Sequence, residues 1–165
     1  MTRSDPPDAD PRASRRPTLS LKGRALKYLA AREHSRVELT RKLAPHAESP
    51  EQVSQVLDEL EQKGWLSAQR FAESMLHRKA ARYGAARLKA ELAQHQLPAE
   101  VASEVTQTLR DTEFERAHAL WVRRFGAPPE TPEDKARQMR FLLGRGFASD
   151  VVRRVVRGDG LVTDA

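Results

Sequence analysis

Apolar helical stripes recur along this 165-residue chain at intervals of about 40–50 residues, and this recurrence constrains the fold more than any other feature. Three leucines stand 49 and 50 residues apart, at Leu43, Leu92 and Leu142. Three further apolar positions recur with a shift of 50, from Leu97, Val101 and Val105 to Phe147, Val151 and Val155. Such a period is typical of helical repeat arrays, which expose long surfaces and usually work by binding a partner.

The recurrence predicts an all-α protein with three tandem three-helix repeats in an elongated, curved array. We place repeat 1 at residues 19–66, repeat 2 at 67–110 and repeat 3 at 111–157. Residues 1–18 hold four prolines among polar side chains, so we expect a disordered N-terminal segment. Residues 158–165 are expected to form a flexible tail. The valine-rich stretch at 151–156 would also suit a strand, but we favour a helix because no second strand is predicted to pair with it.

Serine residues mark the expected starts of several helices, because a serine hydroxyl accepts a hydrogen bond from an otherwise unpaired backbone N–H there. The predicted N-caps are Ser20, Ser35, Ser49 and Ser67, with either Ser149 or Asp150 for the last helix. Glu38 follows Ser35 by three residues, which predicts a capping box. Glu38 is also spaced to pair with Lys42, one helical turn further on. Glu59 and Lys63 have the same spacing, which is typical of solvated ion pairs.

Composition excludes several kinds of chemistry. The chain has no cysteine, which rules out disulfides and thiolate metal sites. None of its five histidines stands in an HExxH or i, i+4 arrangement, so we expect no metal ion. The sequence also lacks a glycine-rich phosphate loop and a GxSxG elbow. We therefore predict a protein that is not an enzyme and needs no cofactor.

No apolar run approaches the roughly 18–20 residues that a transmembrane helix needs, so no membrane association is expected. The polar, proline-rich N-terminus also lacks the apolar core of a signal peptide. These features favour a cytoplasmic protein.

Positive charge is concentrated in residues 67–157, which hold 17 basic and 11 acidic side chains. The whole chain has a formal net charge of +6 and a pI of about 10.0, which favours a polyanionic partner or an acidic protein face. Arginine outnumbers lysine, and arginine favours bidentate contacts to phosphate or carboxylate. The candidate partner- or DNA-binding residues are Arg78, Arg82, Arg87, Arg123, Arg124, Arg137 and Arg140. For each of them taken singly, an ordinary solvated helix face is the alternative.

Two neighbouring arginines, Arg78 and Arg82, are expected to share one face of a helix that ends at Gly84. Aromatic residues are few, and most fall on the apolar stripes or at helix ends. We expect core packing rather than base stacking for Trp65, Phe71, Trp121, Phe125, Phe141 and Phe147.

Several short motifs stand in a fixed order between residues 20 and 157. They are Arg32-Glu33-His34-Ser35 with Glu38-Leu39, Gly64-Trp65-Leu66, Arg70-Phe71-Ala72-Glu73-Ser74, Gly84 with Arg87-Leu88 and Glu91-Leu92, and Phe141-Leu142 with Arg145-Gly146-Phe147. Together they resemble the RecX family, whose members regulate the bacterial recombinase RecA. Two positions depart from the family pattern: Gln96 stands where glycine is frequent, and Ala68-Gln69 stand where an acidic pair is usual.

The resemblance implies three tandem three-helix repeats and a regulatory, non-enzymatic function. It implies that the chain binds RecA and its filament on single-stranded DNA, with at most weak direct DNA binding, and we expect a monomer. It further implies inhibition of strand exchange, ATP hydrolysis and filament extension. Homologous recombination, DNA repair and the SOS response would be modulated in this way.

A transcriptional regulator that binds DNA directly is the alternative hypothesis. Residues 35–66 taken alone look like a helix-turn-helix half, with Gly64-Trp65-Leu66 where a wing would start. Residues 67–83 have the pattern of a helix, however, and no β-rich wing follows. An enzyme is a third hypothesis, for which the nucleophile, base and metal sets are missing.

Overall fold

The computed structural model describes residues 17–160, and all regular structure in this span is helical. The first unit contains α1 (Leu21–Ala31), α2 (Arg36–Leu43) and α3 (Pro50–Gln62), with a 3-10 helix at Ala44–His46. The second contains α4 (Ala68–Lys79), α5 (Ala85–Ala93) and α6 (Ala99–Asp111). The third contains α7 (Glu113–Arg124), α8 (Pro132–Gly144) and α9 (Ser149–Val156). The all-α prediction is confirmed, and the valine-rich stretch is a helix.

Each unit of three helices has a hydrophobic core of its own. The three cores include, in chain order, Leu39 with Leu57, Phe71 with Leu88, and Trp121 with Val152. The prediction of three tandem three-helix repeats is therefore confirmed. Of the expected disordered segment, residues 1–16 lie outside the described residues, and so do residues 161–165 of the expected tail.

Four of the predicted N-caps are confirmed. In each case the serine hydroxyl accepts a hydrogen bond from the backbone N–H three residues further on, at Ser20, Ser35, Ser49 and Ser67. Gly84, by contrast, begins a helix instead of ending one. α4 ends at Lys79, and Gly84 is the N-cap of α5.

A buried glutamate supplies the cap that the sequence assigns to Ser149 or Asp150, so that prediction is wrong. The N-cap of α9 is Ala148, whose side chain has no oxygen. The Oε1 atom of Glu113 accepts hydrogen bonds from the backbone N–H groups of Ala148 at 3.0 Å and Ala85 at 3.2 Å. Only 5% of the surface of Glu113 is exposed. One carboxylate therefore stabilises the N-termini of both α5 and α9, where partial positive charge accumulates.

Arg116, on the same helix, binds the ends of helices in the second unit. Its guanidinium donates to the carbonyls of Ala80 at 2.8 Å, Tyr83 at 2.6 Å and Leu109 at 2.8 Å. These carbonyls lie near the C-termini of α4 and α6, where a helix leaves acceptors unpaired. Burial lowers the pKa of Arg116, but arginine stays protonated at neutral pH. Together with Glu113, it fixes α7 against the second unit.

The backbones of the second and third units touch at two glycines. The N–H of Gly84 donates to the carbonyl of Arg145 at 2.8 Å, and a Cβ atom at Gly84 would lie 2.2 Å from backbone atoms of Gly146 and Phe147. Gly146 has a φ of +88°, and a Cβ there would lie 2.5 Å from the Cβ of Arg87. A larger residue fits at neither position unless the two units move apart.

The first and second units meet through polar side chains instead. The Oγ atom of Ser35 lies 2.8 Å from Nδ1 of His95, whose ring packs on Phe71 at a centroid distance of 4.6 Å. Beside them, Nε of Arg70 donates to Oε1 of Glu33 at 2.9 Å. Burial lowers the pKa of His95, so this ring is neutral at pH 7. The joint therefore depends on hydrogen bonds and ring packing with one ion pair.

Glu38 forms only one of the contacts that its spacing predicts. Its backbone N–H binds the Ser35 hydroxyl, but its carboxylate pairs with Arg32 at 2.9 Å. Lys42 turns to His34, with 3.0 Å between Nζ and Nε2. Because Nδ1 of His34 lies 3.0 Å from the Arg32 carbonyl, we assign the ring proton to Nδ1 and the acceptor to Nε2. The predicted ion pair with Lys42 is therefore wrong.

Gln96 occupies a backbone conformation that usually belongs to glycine. Its φ is +49°, and no other non-glycine residue in the described span has a positive φ. It stands 50 residues before Gly146, at the matching position of the second unit. A side chain in this region costs about 1 kcal/mol, so the departure from the RecX pattern here is a source of strain.

Gly84→Ala should destabilise the protein by about 3 kcal/mol, because the added Cβ would overlap backbone atoms of the third unit. Gly144→Ala is the matched control, since a Cβ at that position meets nothing within 4 Å. The control should leave stability unchanged or raise it by up to about 1 kcal/mol. Urea unfolding followed by the fluorescence of buried Trp121 measures both effects. Equal midpoints would show that the backbones are not in contact.

Gln96→Gly should stabilise the protein by about 0.5–1 kcal/mol, because glycine adopts a positive φ without the Cβ clash. Gln94→Gly makes the same chemical change two residues earlier, where φ is −67°. That control should lower stability by about 0.5–1 kcal/mol. Thermal unfolding of both variants beside the wild type tests the prediction, and a lower midpoint for Gln96→Gly would contradict it.

Candidate partner-binding surface

Arginine guanidiniums lie close to three half-buried aromatic rings in the second and third units. We call this the arginine surface. It consists of the rings of Tyr83, Phe125 and Phe141 together with Arg82, Arg87, Arg124, Arg137 and Arg145. Each guanidinium carbon lies within 6.0 Å of at least one ring centroid. Because neighbouring rings share an arginine or touch one another, the contacts run without interruption across the joint between the units.

Tyr83 is the centre of the densest part of the arginine surface. The guanidinium carbon of Arg87 lies 4.1 Å from its ring centroid, and those of Arg82 and Arg145 lie 5.6 Å away. Arg82 and Arg87 belong to the second unit, and Arg145 belongs to the facing turn of the third. The glycine contact between the units therefore brings three cations to one ring, at distances that give cation–π attraction.

Two phenylalanines extend the arginine surface onto α7 and α8. Arg145 lies 5.2 Å and Arg124 lies 5.4 Å from the centroid of Phe141. Arg124 is also 6.0 Å from Phe125, and Arg137 is 5.8 Å from the same ring. The two phenylalanine rings meet edge to face, with 5.5 Å between centroids and an angle of 86°. Arg124 and Arg145 thus each contact two rings that lie far apart in the sequence.

Most guanidiniums of the arginine surface have no ion pair in the described residues. In the part of the chain that the structure describes, Arg137 is its one member with an ion pair, to Asp134 at 3.3 Å. The other four guanidiniums have ring contacts there without an acidic partner within 4.0 Å. No ion pair within residues 17–160 therefore occupies these four guanidiniums, and their planar donors suit phosphate or carboxylate groups.

The structure brings four of the seven predicted arginines together and leaves three apart. The four in the arginine surface are Arg82, Arg87, Arg124 and Arg137, and all seven are exposed. Arg78, Arg123 and Arg140 make none of the described ring contacts. Arg78 and Arg82 do not share a helix as predicted, because α4 ends before Arg82.

Sequence reasoning missed Arg145 and the role of the rings. Phe125 and Phe141 pack against the core of the third unit as predicted, but both rings stay half-buried, and arginines lie over them. Arg145 lies between two glycines, a pattern that indicates only a turn. The available signal was the pair of glycines at Gly84 and Gly146, since glycines that allow close backbone contact bring their flanking side chains together.

The arginine surface supplies positive charge, planar donors and aromatic faces, which together suit an anionic partner. Residues 17–160 contain no cluster of three or more histidine or acidic side chains arranged to hold a metal ion. Within the same span, no helix combines the length and apolar character needed to cross a membrane.

Three separately cored three-helix units and an exposed cationic surface define a helical repeat protein. Models of the RecX family match it in three consecutive parts. The first three-helix domain of RecX matches residues 22–60, the second matches 69–105 and the third matches 111–156. The chain therefore belongs to the RecX family.

Similar proteins agree with this assignment. Regulatory protein RecX of Leptothrix cholodnii is 57% identical over 145 residues, which cover 88% of this chain and 92% of that protein. Regulatory protein RecX of Ralstonia pickettii is 56% identical over 150 residues, which cover 90% and 94%. The crystal structure of RecX from Lactobacillus salivarius has a TM-score of 0.70 at 18% identity, covering 86% of this chain and 96% of that one. The fold is shared with that structure, and the relatives support a regulatory role.

Replacing Arg82 and Arg87 by glutamate should weaken binding to heparin, a sulfated polyanion, because these guanidiniums have no described acidic partner. The slope of log affinity against log salt should become shallower by about 2, roughly one for each cation lost. Stability should change by less than about 0.5 kcal/mol, since both side chains are exposed. Heparin affinity at several salt concentrations, with circular dichroism, measures these effects.

The matched control replaces Lys27 and Arg41 by glutamate. Both are exposed residues of the first unit, and the change in net charge is identical. Equal weakening by the two double variants would show that only net charge matters and that the arginine surface is not a localised site.

Proposed function

We propose that this chain binds RecA and its filament on single-stranded DNA and inhibits recombinase activity without catalysing a reaction itself. The inhibited activities are strand exchange, ATP hydrolysis and filament extension. Through them the chain modulates homologous recombination, DNA repair and the SOS response in the cytoplasm. Membership of the RecX family and the ordered motifs that resemble it support this function.

The arginine surface is the observation that carries the proposal. A filament of protein on DNA presents acidic side chains and phosphates, and both accept hydrogen bonds from guanidinium groups. Four guanidiniums without described acidic partners provide complementary charge, which orients an approaching partner and speeds association.

Rigidity of the joint between the second and third units also supports a binding function. The cations on Tyr83 come from two units that are fixed by backbone contact and by Glu113. A surface that is already ordered loses less entropy when it binds. The arginine surface can therefore bind one extended partner along both units.

A helix-turn-helix transcriptional regulator is the less favoured candidate. Residues 17–160 contain no strand, and α4 begins at Ala68, directly after the turn where a wing would start. Arg36, at the start of α2, is paired with Asp58 at 2.7 Å and Glu61 at 3.2 Å. This arginine is therefore already occupied within the first unit.

The wild-type chain should inhibit ATP hydrolysis by RecA on single-stranded DNA at stoichiometric amounts. The triple variant Arg82→Glu, Arg87→Glu, Arg145→Glu should need at least about tenfold more protein for equal inhibition, because several charge pairs of about 0.5–1 kcal/mol each are lost or reversed. A steady-state ATPase titration measures this change. Lys27→Glu with Arg41→Glu is the control and should inhibit as the wild type does.

Two outcomes would contradict the proposal. Wild-type protein that leaves ATP hydrolysis unchanged at stoichiometric amounts would reject the inhibitory function. Nanomolar, sequence-specific binding to duplex DNA without RecA would favour the transcriptional regulator instead.

A further inference from the structure

A second aromatic feature, in the first unit, is not part of the arginine surface. The sequence predicts core packing for Trp65, and this prediction is wrong. Leu66 is buried, but 46% of the surface of Trp65 is exposed. Trp121 behaves differently, since it is fully buried and its indole N–H donates to Gln138 at 2.8 Å. Trp65 is therefore a large aromatic side chain that the core does not use.

The turn that carries Trp65 is held firmly. The backbone N–H groups of Trp65 and Leu66 donate to the carbonyl of Leu60 at 2.9 and 3.2 Å. Arg70 reaches back from the second unit and donates to the carbonyls of Gly64 at 2.7 Å and Trp65 at 3.2 Å. The exposed indole thus extends from a fixed backbone at the boundary between the first and second units.

Two lysines lie together on one side of the indole. The ammonium of Lys63 lies 5.2 Å and that of Lys22 lies 5.8 Å from the Trp65 ring centroid. Both ammoniums bind the same Oε1 atom of Glu59, at 2.9 and 2.6 Å, which confirms the predicted pair of Glu59 with Lys63. These lysines lower the pKa of Glu59 to about 2, so the carboxylate stays ionised and holds both cations near the ring.

We propose that Trp65 is a stacking platform for an unpaired base of single-stranded nucleic acid, with Lys22 and Lys63 placed together for a phosphate next to that base. Every base has a flat π face, so a tryptophan platform binds without a fixed sequence. The two ammoniums and one carboxylate leave one net positive charge beside the ring, which matches a phosphate. This inference goes beyond the proposed function, because it does not depend on RecA.

A base fits this surface better than an apolar protein anchor. Tryptophans that anchor protein partners usually lie in apolar pockets ringed by further contacts. The described neighbours of the Trp65 ring are instead charged, namely Lys22 and Lys63 with Glu59 between them. A stacked base covers the ring while its phosphates stay in solvent near the lysines.

Tryptophan fluorescence provides the test, because Trp121 is buried and serves as an internal reference. A thymidine oligonucleotide of about 20 residues, added to the full chain at low salt, should quench part of the emission. Trp65→Phe should remove the quenching while the emission of Trp121 and the circular dichroism stay unchanged. Trp65→Ala should weaken binding of a dye-labelled oligonucleotide by roughly 5- to 150-fold, as measured by anisotropy.

Matched controls separate stacking from general charge attraction. Leu143→Ala removes another exposed apolar side chain and should leave quenching and affinity unchanged. Lys22→Gln with Lys63→Gln should weaken binding and flatten its salt dependence, while the quenching at saturation persists. A duplex of the same length should quench much less, since its bases are already stacked.

The following results would overturn the inference. The Trp65→Ala variant could bind the oligonucleotide as tightly as the wild type does, or the oligonucleotide could fail to quench the wild type at any concentration. A blue shift of Trp65 on adding RecA without DNA, with no response to the oligonucleotide, would identify a protein contact instead. Because inhibition of RecA is assayed separately, failure of the proposed function and failure of this site are distinguishable.

Discussion

The backbone contact between Gly84 and Gly146 determines where the arginine surface is. Arg82 and Arg87 flank the first glycine, and Arg145 directly precedes the second. The units can approach this closely only because neither position has a Cβ. Glu113 reinforces the contact by accepting hydrogen bonds from the start of α5 and the turn before α9. A backbone contact therefore determines the position of the arginine surface, and the charged side chains of that surface take no part in it.

The joint between the first and second units uses the same positions with different chemistry. His95 faces the N-cap of α2 as Arg145 faces the N-cap of α5, but a side-chain contact replaces the backbone hydrogen bond. Ala68 begins α4 as Glu113 begins α7, so this position has no carboxylate that could accept from two helix N-termini. A cavity of about 130 Å³ beside Ala68 and His95 takes its place. Fewer charge-assisted hydrogen bonds therefore connect the first and second units than connect the second and third.

The sequence predicted the helices well because most of their signals are local. Serine caps and apolar stripes act within one or two turns, and Ser20 to Ser67 cap the helices as predicted. The α9 cap could not be predicted, because its acceptor is Glu113, 35 residues earlier. Only part of the arginine surface could be predicted from the sequence, for the same reason. Charge excess located the second and third units, whereas Arg145 joined the set only through contacts with rings on other elements.

The fold does not require the arginines over Tyr83 and Phe141. Apolar side chains would cover Tyr83 and Phe141 as well as arginines do, and without mutual repulsion. Cation–π attraction offsets that repulsion only in part, since each contact at an exposed site contributes about 0.5–1 kcal/mol. Trp65 is a parallel case, an indole left open in a unit whose core is already filled. The open ring of Trp65 and the exposed guanidiniums therefore fill no core, and both surfaces stay accessible.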